Sequence, residues 1–144
     1  MAPHTALATA SRDSHLALRR VERQQVLIER LHAARGARLQ LEELAFDLHV
    51  SRRTLARDVE RLRYSGVPIL THRGRGGGVS VPSPVAVAPI TFDLPEVAAL
   101  MSSLAVVGTT ISSSATSAMR KLTGALQADP PVPPRTGGWT SPRA

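Results

Sequence analysis

The chain has 144 residues, enough for one compact domain with an appendage. Apolar residues make up 42% of it but aromatic residues only 3%, so its core must be small and aliphatic, and the net charge of +7 favours a polyanionic partner. Without cysteine it has no disulfide framework and no thiolate metal site.

The N-terminal part of the sequence predicts a disordered segment over residues 1–17, followed by a helix. The first residues lack both the basic start and the sustained apolar run of a signal peptide. From Leu16 to Arg35, apolar residues then recur at helical spacing, and Gly36 is a typical stop. The apolar side of this helix comprises Val21, Leu27, Ile28, Leu31 and Ala34. We expect it to be the first helix of a domain spanning residues 18–82.

Two short amphipathic helices around a tight turn are predicted next. Their apolar stripes are Leu41, Leu44, Ala45 and Leu48 in one, and Leu55, Val59 and Leu62 in the other. Ser51 can cap the second helix, which we expect over residues 51–65, and Gly66 should end it. His49 lies in the turn, where a residue with positive φ is usual. This spacing is typical of a helix-turn-helix.

The polar side of the second helix carries arginines. A step of about 100° per residue puts Arg53 and Arg57 opposite the apolar stripe, with Thr54 beside them. Side chains at the start of such a helix reach base edges in the major groove, where arginine can bind guanine through two hydrogen bonds. Asp58 lies nearer the buried edge, so we expect it to hold an arginine or a backbone amide. The candidate DNA contacts of this helix are Arg53, Thr54 and Arg57 for bases, Ser51 and Arg52 for phosphates, and the flanking Arg61.

A β-hairpin with a glycine-rich tip is predicted after the second helix. Residues 67–70 and 79–81 are short β-prone runs, and the wing between them covers residues 72–78. Arg73 and Arg75 on this tip could follow a phosphate backbone or enter a minor groove, because glycine permits close approach. Two alternatives stay open: an RNA-binding Arg-Gly element, and arginines that only solvate an exposed surface.

Residues 19–81 resemble the N-terminal winged helix-turn-helix of DeoR-type and WYL-domain bacterial transcriptional regulators. The resemblance is carried by SRRTLARDVERLRYSG at residues 51–66 and GRGGGV at residues 74–79. Gln40 and His49 depart from the pattern, since a Ser or Thr cap and a Gly are usual there. The resemblance implies a DNA-binding transcription factor in the cytoplasm, associated with the nucleoid.

Two further helices are predicted over residues 93–128, after a linker at 83–92. Asp93 and Glu96 suit a capping box around Pro95. The apolar stripes are Leu94, Val97, Leu100, Met101 and Leu104, then Ile111, Ala115, Ala118, Met119, Leu122 and Leu126. Neither helix can bury its stripe alone, so they should pack on each other, on the winged helix or on a second subunit. Residues 129–144 are Pro/Gly-rich and expected to be disordered, and the resemblance then implies that the family's C-terminal sensing domain is missing.

The sequence thus predicts a mainly α fold with a small β-hairpin wing, and a sequence-specific regulator that binds double-stranded DNA. A homodimer through residues 93–128, or a heteromer with a full-length relative, is expected. Two alternatives are a truncated antagonist of such a relative and a non-functional fragment. No enzyme, cofactor or metal site is predicted, because the five histidines lack ligand spacing and no nucleophile or paired-carboxylate motif occurs. No run approaches the ~18 apolar residues of a membrane span.

Overall fold

The structure is a computed structural model that describes residues 3–85, 87–108 and 112–128. It is mainly helical with one small hairpin, which confirms the predicted fold class. In chain order its elements are α1 (Pro3–Ala33), α2 (Leu41–Asp47), α3 (Arg52–Tyr64), β1 (Leu70–His72), β2 (Gly78–Ser80), α4 (Leu94–Val107) and α5 (Ser113–Gln127). None of the described helices is long and apolar enough to cross a membrane. The tail predicted to be disordered, residues 129–144, lies outside the described residues.

The N-terminal helix is longer than the sequence analysis predicted. α1 runs for 31 residues from Pro3, so residues 3–17 are helical here, whereas a disordered segment was expected. No glycine or proline interrupts residues 4–35, and alanine and leucine recur in this stretch. Extending a helix that is already nucleated costs little, and proline is tolerated in a first turn. The sequence prediction required an apolar face, whereas a run of helix-forming residues can extend an existing helix without one.

The core of the domain lies where α1, α2, α3 and the hairpin meet. Its fully buried side chains include Leu27 and Leu31 of α1 and Leu55 of α3. The other buried members are Leu44, Ala45, Val59, Leu62, Ile69, Val79 and Val81. The predicted stripes of α2 and α3 therefore form this core. In α1, Val21 of the predicted apolar side is an exception, because it is 39% exposed.

The turn between α2 and α3 explains how these helices meet. His49 has φ 53°, the positive value that its position predicted. Its amide donates to the Phe46 carbonyl at 3.1 Å, and the Val50 amide donates to the Ala45 carbonyl at 3.0 Å. These two bonds form a Schellman motif, which satisfies the last free carbonyls of α2 and reverses the chain. At the other end of α2, Gln40 makes no side-chain cap bond.

The wing is an antiparallel hairpin that is joined to the rest of the domain by Leu39. In the hairpin, Leu70 pairs with Ser80, and His72 pairs with Gly78. Leu39, just before α2, exchanges two hydrogen bonds of 2.9 Å with Val79. A Cβ at Gly78 would lie 2.3 Å from the Leu39 carbonyl oxygen, so only glycine permits this approach. The base of the wing is thereby fixed relative to α2.

The last two helices pack on each other, and α5 contacts α1. α4 begins with the predicted capping box, in which the Asp93 side chain accepts from the Glu96 amide and the Glu96 side chain accepts from the Asp93 amide. Val97 of α4 and Ala115 of α5 are buried. The start of α5 contacts α1, because the Ser114 amide donates to Glu29 Oε1 at 3.3 Å. Large apolar side chains of these helices remain exposed, namely Leu94, Leu100, Val106 and Leu126. Ile111 lies outside the described residues.

Candidate nucleic-acid interface

The start of α3 is fixed by the residues predicted to contact phosphate. Ser51 Oγ accepts from the Thr54 amide at 3.1 Å, as expected of a capping residue. The Thr54 hydroxyl lies 2.9 Å from the same Ser51 oxygen, so the capping interaction engages it. Arg52 is exposed and lies 3.7 Å from Glu42 at the start of α2. These contacts hold the first turn of α3, with its free backbone amides, at the surface of the domain.

Arg53 and Arg57 form a row on the outward side of α3. Both side chains are exposed, opposite the buried Leu55, Val59 and Leu62. Within the described ranges no carboxylate pairs with either arginine. Their guanidinium groups are therefore free to donate hydrogen bonds to an acceptor outside the protein.

Tyr64 extends the outward row, and the sequence analysis missed it. It follows Arg57 by seven residues, which is two helical turns, and its side chain is 96% exposed. The available signal was its helical position relative to Arg53 and Arg57. A tyrosine at the end of a helix nevertheless has several possible packing partners, and only the path of α1 decides that none covers it.

Asp58 links α3 to α1. It is fully buried, and its Oδ2 accepts from Arg23 Nε at 2.5 Å. Its Oδ1 accepts from Gln24 at 3.2 Å and from Arg61 Nη1 at 3.3 Å. The expectation that Asp58 holds a neighbouring arginine is correct. Arg61 is consequently turned toward α1, away from the side of α3 that faces the wing.

The wing and α3 border an open groove of about 460 Å³. Arg52, Glu60, Thr71 and Arg73 are among the side chains that line it. Arg73 and Arg75 are both exposed, and neither takes part in an ion pair with another described residue. The wing therefore carries two free cations beside the groove, at the opposite flank of α3 from Arg61.

Histidines and carboxylates do not form a metal centre in the described part of the chain, where no three of them could hold an ion together. His72, at the base of the wing, has its Nε2 2.9 Å from the Ser80 hydroxyl. This contact joins the two strands of the hairpin, which gives His72 a structural role.

Comparison with known proteins assigns the same part of the chain to a domain family. Residues 23–79 match the family model described as "HTH domain". The match begins at Arg23, which binds Asp58, and ends at Val79 in the second strand of the wing. A segment of 43 residues is 44% identical to the "Uncharacterized HTH-type transcriptional regulator YobV" of Bacillus subtilis (strain 168). That segment covers 30% of this chain and only 14% of the relative. No solved structure gives a significant match. Residues 23–79 are thus an HTH domain.

Proposed function

We propose that the protein is a sequence-specific transcriptional regulator that binds double-stranded DNA with α3 in the major groove. The observation that carries the proposal is the outward row of unpaired arginines, Arg53 and Arg57, on an HTH domain. The similar Bacillus protein bears the description of a transcriptional regulator, which supports the same class. The proposal includes no enzymatic activity, and it implies action at chromosomal DNA in the cytoplasm.

The proposal divides the arginines by task. Arg53 and Arg57 read bases, because an unpaired guanidinium can bind guanine through two parallel hydrogen bonds. Ser51 and Arg52 position the helix on phosphates, helped by the free amides of the first turn. Arg73 and Arg75 of the wing contact the backbone or enter the minor groove. Thr54 and Arg61 flank the base-reading pair. The motif of α3 and the wing supports placing the domain among the DeoR-type and WYL-domain winged helices.

Selection from random duplex DNA, followed by affinity measurements on the enriched site, tests the central claim. If about four to six phosphates are neutralised, log K should fall with log salt with a slope of about −4 to −5. A flat salt response, or no enrichment of any sequence, would contradict a specific DNA-binding function.

Alanine variants test the division of tasks. Arg53→Ala or Arg57→Ala should cost about 1 to 3 kcal/mol on the selected site and relax its sequence requirement. Arg73→Ala or Arg75→Ala should weaken matched and scrambled sites alike and reduce the salt slope by about one. Arg12→Ala removes an exposed arginine of α1, eleven residues before Arg23 in the chain, and is the matched control for lost charge. Identical behaviour of the two pairs would refute the assignment.

We also propose that α4 and α5 form the dimer surface. The exposed Leu100 and Leu126 support a partner there, because large apolar side chains in water favour association. A second copy would place two recognition helices on half-sites about one DNA turn apart. Leu100→Asp with Leu126→Asp should yield a folded monomer by light scattering and circular dichroism. Leu122 of the same stripe is half-buried, so a charged substitution there would also disturb the packing of α5, and Leu126 is substituted instead. A monomeric wild type would instead favour a heteromer with a longer relative.

A further inference from the structure

A second cationic groove lies between α1 and the C-terminal end of α3, at the opposite end of α3 from Arg52. This α1–α3 groove is open and has a volume of about 870 Å³. Arg20, Arg61, Arg63 and Tyr64 line it, together with the small apolar side chains Ala17 and Val21. The sequence analysis assigned no task to Arg20, Arg63 or Tyr64.

The charge of the α1–α3 groove suits an anion. Three guanidinium groups line it, against the single exposed carboxylate of Glu60, which binds Arg63 at 3.0 Å. Asp58 is fully buried and holds the 50% exposed side chain of Arg61 at 3.3 Å, which restricts this cation without removing it from the surface. Arg20 is exposed, and no described acidic residue pairs with it. Planar guanidinium groups match phosphate oxygens, and the Tyr64 hydroxyl adds a donor.

The α1–α3 groove also continues the outward row of α3. Tyr64 follows Arg53 by eleven residues and Arg57 by seven, so all three lie on nearly the same side of the helix. A helix of 13 residues is about 20 Å long, whereas the major groove of DNA is about 12 Å wide. If the row contacts base edges, an end of α3 must therefore reach a flanking sugar-phosphate backbone.

We propose that the α1–α3 groove binds the DNA backbone, so that α3 is held by phosphate contacts at both of its ends. The wing and the start of α3 contact the sugar-phosphate backbone of one DNA strand. Arg20, Arg63 and Tyr64 contact the strand on the other side of the major groove. The proposal rests on the proposed DNA-binding function and adds a second phosphate-binding site to it.

Affinity measurements with the full chain and its selected duplex test this site. Arg20→Ala should weaken binding about five- to tenfold, and it should do so equally on matched and scrambled duplexes, because phosphate contacts carry no sequence information. The salt slope should become less negative by about one. Arg12→Ala removes the same charge from the same helix outside the groove, and it should change affinity less than twofold. Tyr64→Phe should produce a smaller loss that is also independent of sequence.

Duplexes with single methylphosphonate linkages locate the contact. We expect one or two linkages, on the strand away from the wing, at which loss of charge weakens the wild type but has no further effect on Arg20→Ala. If Arg20→Ala behaves like Arg12→Ala while Arg53→Ala loses affinity, the backbone site is refuted and the proposed function stands. That outcome would leave an acidic polypeptide as the groove's occupant. If the wild type binds no duplex, the proposed function fails together with the site.

Discussion

Removing the Asp58 carboxylate should loosen the attachment of α3 to α1. The carboxylate is fully buried, and its closest partner, Arg23, keeps only 19% of its side chain exposed. Truncating one member of a buried pair typically costs about 3–5 kcal/mol, because the other charge stays uncompensated. Arg23 and the half-exposed Arg61 can each recruit water, so we expect about 3 kcal/mol for Asp58→Ala. In a domain of this size that lowers Tm by roughly 12–24 °C.

Thermal and urea denaturation followed by circular dichroism measure this loss. Glu60→Ala is the matched control, because Glu60 is a 66% exposed carboxylate on the same helix, and it should cost at most about 1 kcal/mol. A double-mutant cycle with Arg23→Ala should give a coupling of about 1 kcal/mol or more. If Asp58→Ala matches the control, or if the two losses simply add, Asp58 does not hold the helices together.

Three further predictions concern the wing, the last helix and the contact of that helix with α1. Gly77→Ala should destabilise the domain by more than about 1 kcal/mol, since the new Cβ would lie 2.5 Å from the His72 carbonyl oxygen. Gly124→Ala, in α5 with nothing within 4 Å, should instead stabilise its helix by about 0.5–1 kcal/mol in the same denaturation assay. The Ser114 side-chain hydrogen bond holds the pKa of Glu29 below its usual 4.5, so the contact of α5 with α1 is favoured by the ionised form and weakens as pH falls through that lowered pKa. The Ser114 amide resonance should therefore titrate in this acidic range, and it should not do so in Glu29→Gln.

The sequence predicts those parts of the fold in which apolar residues recur at helical spacing or in which a capping residue marks the end of a helix. The spacing of Leu55, Val59 and Leu62 fixes the buried side of α3, and Ser51 and His49 fix its start and the preceding turn. These features depend on neighbours within one or two helical turns. Propensity and sterics therefore specify them without knowledge of the remaining chain.

Features that depend on distant residues could not be obtained in this way. Arg23 reaches Asp58 across 35 residues, and Leu39 pairs with Val79 through one isolated bridge. Neither contact leaves a periodic signal. The α1–α3 groove belongs to the same class, because the exposure of Tyr64 depends on where α1 runs. The helical extension of α1 was missed for another reason, because a helix was expected only where apolar residues recur on one side.

The ion pairs divide the arginines into those bound to a carboxylate of the domain and those without such a partner, a distinction that the net charge does not show. Residues 51–78 contain seven arginines, but three of them, Arg52, Arg61 and Arg63, pair with carboxylates of the domain. The four others, two on α3 and two on the wing, have no ion-pair partner among the described residues, and the same holds for Arg20 in the α1–α3 groove. The proposed phosphate contacts use five arginines: Arg73 and Arg75 of the wing, Arg20 of α1, and Arg52 and Arg63, which must exchange a carboxylate for a phosphate. Five neutralised phosphates give a salt slope of about −4 to −5. If all eight arginines contributed fully, the slope would be close to −7. The measured slope therefore distinguishes a surface on which Arg53 and Arg57 read bases while five other arginines neutralise phosphates from one on which every arginine neutralises a phosphate.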